Sequence, residues 1–278
     1  MILSALGFGG LIFGLSSIGE AASGHAPVPV WIPITIGAVS VVAFVLRQIR
    51  LQRTDSALLD LRTFRSRPFA LATVLVAVVF SALFGSLILL PLYLQQVLGL
   101  DTLTVGLMLL PGGIVMGVIA PVVGALFDRF GPRPLVLPGM IVAAAALWGM
   151  TTFDVGTPIA WIITVHVALN LGLGFVFTPL LTSALGSLPP TLYSYGSATV
   201  STLQQLAGAA GTALFVTLMS VTAAAATSEG ANPVAATADG VHAAFFVGAI
   251  VASAAVILAA FVRNPAVDAT APVEVVPH

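Results

Sequence analysis

The sequence contains no cysteine, no lysine and few charged residues of either sign. The lack of cysteine excludes disulfide frameworks, thiolate nucleophiles and cysteine-ligated metal sites. Charged residues make up 7% of the 278 positions, whereas a soluble globular domain carries about 25%. The formal net charge is −1, so the chain has no basic footprint for a nucleic-acid partner. These shortages leave a membrane protein as the class that fits the composition.

Long apolar runs occupy most of the chain. Hydrophobic residues make up 59% of it, and its mean hydropathy is +1.12. Because lipid satisfies no backbone polar group, apolar runs of roughly 20 residues that lack polar alternation are predicted to cross the bilayer as α-helices. An alternative for the first run is a secretory signal peptide, but residues 1–15 lack the positive charge that begins such a peptide. The eight predicted spans are 1–18, 30–48, 70–94, 105–127, 135–153, 158–185, 197–225 and 241–262.

The basic residues predict the orientation of the spans. All nine fall on one side when eight spans alternate, and they are Arg47, Arg50, Arg53, Arg62, Arg65, Arg67, Arg129, Arg133 and Arg263. Since basic residues mark cytoplasmic loops, both termini are predicted to be cytoplasmic in a multi-pass plasma-membrane protein. The use of Arg alone, with abundant Ala, Val and Gly, indicates a bacterial source.

The chain divides into four predicted regions. A pair of spans (1–48) is followed by an amphipathic cytoplasmic connector (49–68), a six-helix bundle (69–263) and a disordered cytoplasmic tail (264–278). Pro91 and Pro179 occur late in the third and sixth spans, which fits a 3+3 inverted repeat of the kind found in transporters. Residues 227–240 are predicted to form an external loop.

Small residues predict close helix packing in two spans. Gly113, Gly117 and Pro121 recur every four residues in the fourth span, and Gly124 continues nearly the same face. The seventh span places Gly208 and Gly211 in a similar pattern, so both spans are expected to pack against neighbouring helices.

The stretch GALFDRFGPR (124–133) concentrates charge between two apolar spans. One interpretation is that its arginines only hold the topology of a short cytoplasmic turn. However, the pattern also resembles the G-x-L-x-D-R-x-G-x-R loop signature of the major facilitator superfamily. Three further stretches are similar to the multidrug-efflux branch of that family with fourteen spans: LLDLRTFRSRPFA (58–70), LPLYLQQVLGLDTLTVGLMLLPGG (90–113) and STLQQLAGAAGTAL (201–214).

This resemblance implies two six-helix bundles that rock about a central cavity, with two helices inserted between them. Spans one and two resemble the inserted pair and spans three to eight the C-terminal bundle, so an N-terminal bundle in the same or another chain is an expected partner. The loop then implies a conformational latch formed by Gly124, Asp128, Arg129, Gly131 and Arg133. Gly124 would let helices touch, Asp128 would pair with an arginine near a helix N-terminus, and Gly131 would permit the turn, each contact contributing about 0.3–2 kcal/mol.

Polar residues inside spans are candidates for function because they are costly in lipid. His166, with Asn170 one turn later, is a candidate for proton movement or a cavity wall, although a neutral His bonded to a neighbouring helix is the alternative. Gln204, Gln205 and Gln95 are further candidates for a substrate cavity, with interhelical hydrogen bonding as the alternative role.

No enzyme motif, metal site or cofactor site is present in the sequence. The leading hypothesis is the C-terminal portion of a secondary transporter that exports drugs or other amphipathic small molecules in exchange for protons by alternating access. The alternative is a membrane module or half-transporter that transports nothing without a partner supplying the N-terminal bundle.

Overall fold

The computed structural model of the chain describes residues 2–22, 28–52 and 59–262. These residues contain α-helices and no strand, so the predicted all-α membrane fold is confirmed. Two short 3₁₀ helices, Leu61–Arg65 and Pro190–Leu192, precede the third and seventh α-helices. Eight α-helices are found in the described residues: α1 (Ile2–Ala22), α2 (Trp31–Leu51), α3 (Arg67–Gln96), α4 (Thr102–Phe130), α5 (Arg133–Met150), α6 (Ile159–Gly186), α7 (Tyr193–Ser228) and α8 (Pro233–Ala259).

Helices α2 to α8 are each long and apolar enough to cross a membrane, whereas the apolar part of α1 is shorter, at Leu3–Ile18. The predicted extent of the loop at 227–240 is wrong, because α7 continues to Ser228 and α8 begins at Pro233, which leaves a turn at 229–232. The Asn232 side chain caps α8 by accepting a hydrogen bond of 2.8 Å from the Ala235 N–H. Arg53, Arg263 and the predicted tail at 264–278 lie outside the described residues.

Helices α1 and α2 form a closely packed pair. A Cβ atom added to Gly10 would lie 3.0 Å from the Cα of Gly37, and one added to Gly14 would lie 2.6 Å from the Ile34 side chain. The pair contacts the other helices through α1, where the Thr217 hydroxyl of α7 donates a hydrogen bond of 2.8 Å to the Leu15 carbonyl. Small residues in α1 and α2 therefore make the two helices one unit that packs on α7.

Helices α3 to α8 pack around a shared apolar core. α4 packs on α6 and α7 packs on α3, while α3 contacts α6 and α5 contacts α8. This arrangement is consistent with two related groups of three helices. The prolines that suggested the repeat are not equivalent in the observed helices, because α3 begins at Arg67 and α6 at Ile159, which places Pro91 later in its helix than Pro179.

Close packing between α3 and α7 depends on two glycines of α7. A Cβ atom on Gly211 would collide with the Ser81 backbone, and one on Gly208 would lie 3.0 Å from the Phe84 ring. The Ser81 hydroxyl donates a hydrogen bond of 2.9 Å to the Ala207 carbonyl. The close packing predicted for the seventh span is therefore present in the structure.

The corresponding prediction for α4 is wrong within the described residues. Cβ atoms added to Gly113, Gly117 or Gly124 would meet nothing within 4 Å. α4 instead packs on α6 through a different face, whose buried residues include Val105, Met108 and Gly112. The glycine stripe of α4 consequently faces away from the other helices of this chain.

The connector before α3 contains an ion pair between buried Asp60 and exposed Arg62. Asp60 is 1% exposed, and its carboxylate accepts hydrogen bonds from the Arg62 backbone N–H at 2.9 Å and from the Arg62 Nε at 2.7 Å. Burial raises the pKa of Asp60, but the hydrogen bonds and positive charge of Arg62 outweigh it and hold this pKa below its ordinary value. Part of the predicted amphipathic connector, at 53–58, lies outside the described residues; the part that follows contains the 3₁₀ helix.

Candidate functional site

The charged loop between α4 and α5 is a tight turn around Gly131. Its backbone φ is +77°, in the region that favours glycine, and its N–H donates a hydrogen bond of 2.8 Å to the Phe127 carbonyl. This bond ends α4, and α5 begins two residues later at Arg133. A side chain at position 131 would strain the turn that joins the two helices.

Two charged members of the loop motif are open to solvent or to a partner. Asp128 and Arg129 are exposed, and the Arg129 guanidinium lies 5.1 Å from the centre of the Phe130 ring. The ion pairing expected for Asp128 is not formed among the described residues. The single ion pair that these residues contain joins Asp60 and Arg62, in the connector before α3. The helix contact expected at Gly124 is also missing there.

A polar cluster joins α4 to α6 inside the membrane region. The His166 Nε2 lies 3.3 Å from the Leu109 carbonyl of α4. The Asn170 Nδ2 donates to the His166 carbonyl at 2.9 Å and lies 3.4 Å from the His166 Nδ1. This geometry corresponds to the interhelical hydrogen bond given above as the alternative for His166.

One imidazole tautomer fits these contacts. With the proton on Nε2, the ring donates to the Leu109 carbonyl, and the Asn170 Nδ2, which lies 3.2 Å from Nε2 and 3.4 Å from Nδ1, can donate to the unprotonated Nδ1. Adding a proton at Nδ1 would place two hydrogen-bond donors, the Nδ1–H and the Asn170 amide, against each other, while Nε2 would still donate to Leu109. Protonation of His166 would therefore disturb the His166–Asn170 contact within α6.

Gly112 makes room for this cluster. A Cβ atom at position 112 would lie 2.5 Å from the His166 Nε2 and 2.7 Å from the Asn170 Nδ2. Sequence reasoning singled out Gly113 and missed Gly112. The signal that identifies it is the helical spacing of Val105, Met108 and Gly112, which places these residues on one face.

The glutamine candidates are not brought together with His166 and Asn170. Gln95 is exposed at the end of α3, and Gln204 is half-buried. Gln205 lines a cavity of about 440 Å³ between α1, α3 and α7, together with Ser16, Phe84 and Thr212. Among the described residues, no hydrogen bond links any of these glutamines to His166 or Asn170.

The described residues include no group of three His, Asp or Glu side chains that could hold a metal ion. Helix α4 connects the polar cluster to the loop motif, since it carries the Leu109 carbonyl towards one end and Asp128 at the other. A movement of α4 against α6 would therefore change both regions.

Comparison with known proteins identifies a family and several relatives. The family model described as Major Facilitator Superfamily matches residues 1–212. The chain is 42% identical to a lincomycin resistance protein LmrB of Listeria monocytogenes over 95% of its own length and 56% of that protein. It is 36% identical to the Bacillus subtilis LmrB over 96% of the chain and 57% of the relative. A multidrug resistance protein B homolog of Mycobacterium tuberculosis is 34% identical over 79% of the chain and 40% of its own length. The chain thus spans just over half the length of the LmrB relatives.

Proposed function

Because the chain belongs to the major facilitator superfamily, we propose that it acts in the export of drugs or other amphipathic small molecules by alternating access. The observation that carries this proposal is its 42% identity, over 95% of the chain, to a protein named for lincomycin resistance. Lincomycin is accordingly the first substrate to test. α1 and α2 are assigned as an inserted pair and α3 to α8 as the C-terminal bundle of a larger transport unit.

The exposed face of α4 supports the assignment of a second bundle as partner. Gly113, Gly117 and Gly124 leave a smooth surface on that helix, and small residues permit close approach between membrane helices. On this proposal, Asp128 and Arg129 find their partners on the second bundle in one conformation and lose them in the other. The loop motif then works as a latch between bundles.

Proton coupling is proposed to involve His166. In the described part of α6 it is the one ionisable side chain, and its contacts with Leu109 and Asn170 suit a neutral ring that is protonated on Nε2. Since a second proton would set the Nδ1–H against the Asn170 amide on the face of α6 that packs on α4, binding of a proton is proposed to favour a different packing of this face.

The export hypothesis is tested with the gene that encodes this chain, expressed in a lincomycin-sensitive bacterium that lacks its own exporters. We expect a rise of several-fold in the inhibitory concentration of lincomycin, and its abolition by a protonophore. Asp128→Asn and Gly124→Leu should remove this resistance while the protein still accumulates in the membrane, because Asp128 is exposed and a Cβ atom on Gly124 would meet no atom of the described residues within 4 Å. Resistance that persists in both variants would remove the latch from the proposal.

The role of His166 is tested by His166→Gln in the same strain. The Gln amide can still donate to the Leu109 carbonyl but cannot take up a proton. If His166 couples transport to protons, His166→Gln loses most of the resistance at normal protein levels; resistance equal to that of the wild type would assign His166 a packing role only.

A further inference from the structure

A cavity of about 470 Å³ opens where the start of α3 meets the ends of α6 and α8. Its apolar wall includes Leu71 of α3 and Phe261 and Val262, which follow α8. Arg67, at the first turn of α3, and Ser183 of α6 add a cation and a hydroxyl to this wall. The cavity is separate from the His166 cluster and from the loop motif at residues 124–133.

Ser183 carries a hydroxyl group whose hydrogen-bonding capacity is unsatisfied among the described residues. Its side chain is 8% exposed, and its Oγ is buried without a hydrogen-bond partner among the described residues. A buried hydroxyl without a partner is unfavourable, particularly in a membrane protein, where water is scarce. A ligand oxygen in the cavity would supply the missing partner.

No carboxylate among the described residues forms an ion pair with Arg67. This arginine is exposed, and the carboxylate of Asp60, in the preceding connector, is engaged by Arg62 at 2.6 Å. Moreover, a cation in the first turn of a helix faces the positive end of the helix dipole, which is unfavourable unless an anion is also present. The guanidinium and the start of α3 therefore favour a negatively charged ligand.

We propose that this cavity binds the phosphate of an anionic phospholipid. The Arg67 guanidinium contacts the phosphate, the Ser183 hydroxyl donates to a headgroup oxygen, and Leu71, Phe261 and Val262 contact the glycerol and the first carbons of the acyl chains. A lipid is favoured over a soluble anion because the polar groups are surrounded by apolar ones at a helix end. Basic pockets between membrane helices are known to accept phospholipid headgroups in this way.

The test measures lipid retention by the full chain purified in detergent, using native mass spectrometry with phosphatidylglycerol and, in parallel, zwitterionic phosphatidylcholine. Arg67→Gln should reduce the affinity for phosphatidylglycerol about fivefold, which is the contribution of one basic residue near a membrane. Ser183→Ala should reduce it about threefold, as expected for the loss of one hydrogen bond. Arg65→Gln is the matched control, because it removes the same charge from the preceding 3₁₀ helix outside the cavity.

Three results would overturn the proposal. Equal losses for Arg65→Gln and Arg67→Gln would indicate only a general surface charge, and equal retention of the two lipids would indicate only apolar contact. Displacement of phosphatidylglycerol by inorganic phosphate, but not by chloride at the same ionic strength, would assign the cavity to a free anion. Each variant is first checked for unchanged thermal unfolding, and Ser183→Ala provides the test should Arg67→Gln fail to fold.

Discussion

At position 112, a glycine hydrogen is all that separates the backbone of α4 from the side chains of His166 and Asn170 on α6. The next residue, Gly113, has open space on the side where a Cβ atom would be. The two positions share the same residue type and nearly the same depth in the helix, so a comparison between them isolates the effect of contact with the polar cluster.

We expect Gly112→Ala to destabilise the protein by about 1–3 kcal/mol, the usual cost of overpacking a filled site. The added methyl group must displace the side chains of His166 and Asn170 from α4, because it would lie within 3 Å of both. Thermal unfolding in detergent measures the effect, and a chemical shift change at the His166 ring reports it locally. Gly113→Ala is the control and should leave both measurements unchanged; a similar loss in the two variants would mean that α4 does not pack on α6 through Gly112.

At the scale of the helices, the contact between α3 and α7 depends on backbone approach. A Cβ atom at Gly211 meets backbone atoms of Ser81, which cannot rotate away as a side chain would. Gly211→Ala is therefore expected to cost near the upper end of roughly 1–3 kcal/mol, and to weaken the hydrogen bond between Ser81 and the Ala207 carbonyl. Gly117→Ala, in the open stripe of α4, is the control and should be neutral or slightly stabilising, since Ala favours helix over Gly. Equal unfolding temperatures for these variants would contradict the observed α3–α7 packing.

The glycines of α4 and those of α7 show how much of the fold could be predicted from the sequence. The membrane helices were predictable because bilayer thickness imposes a length and because lipid excludes polar residues. The small-residue pattern indicated which helices have smooth faces, and this prediction succeeded for α7. It failed for α4 because a glycine pattern does not state which partner covers it, and the partner expected for Gly113, Gly117 and Gly124 is not among the described residues of this chain.

The candidate site was predictable in part because polar residues are costly in lipid. Cost in lipid identified His166 and Asn170 as a pair, and helical periodicity correctly put them one turn apart. Neither criterion identified Leu109 or Gly112, because Leu109 contributes only its backbone carbonyl and Gly112 has no side chain, so no polar side chain marks them in the sequence. The end of α7 and the start of α8 were also missed, since the small and polar residues at 227–228 and 233–240 are helical here.

At the scale of the whole molecule, the arginines predict an orientation that the structure makes testable. When the eight helices alternate, Arg47, Arg67, Arg129 and Arg133 come to the same end of the protein as the α6–α7 turn, where Thr191 is exposed. The α7–α8 turn, where Glu229 is exposed, belongs to the opposite end. Because the chain has no cysteine, a single introduced thiol can be labelled at either end without background.

We expect Glu229→Cys to react in intact cells with a maleimide that cannot cross the membrane, and Thr191→Cys to react only after permeabilisation. The reason is that basic residues are retained on the cytoplasmic side during insertion, which places Thr191 inside and Glu229 outside. The reverse labelling pattern would invert the proposed orientation, and with it the side on which an anionic lipid could reach Arg67. Labelling of both positions from the same side would be a stronger contradiction, since α7 connects them and could not then cross the bilayer.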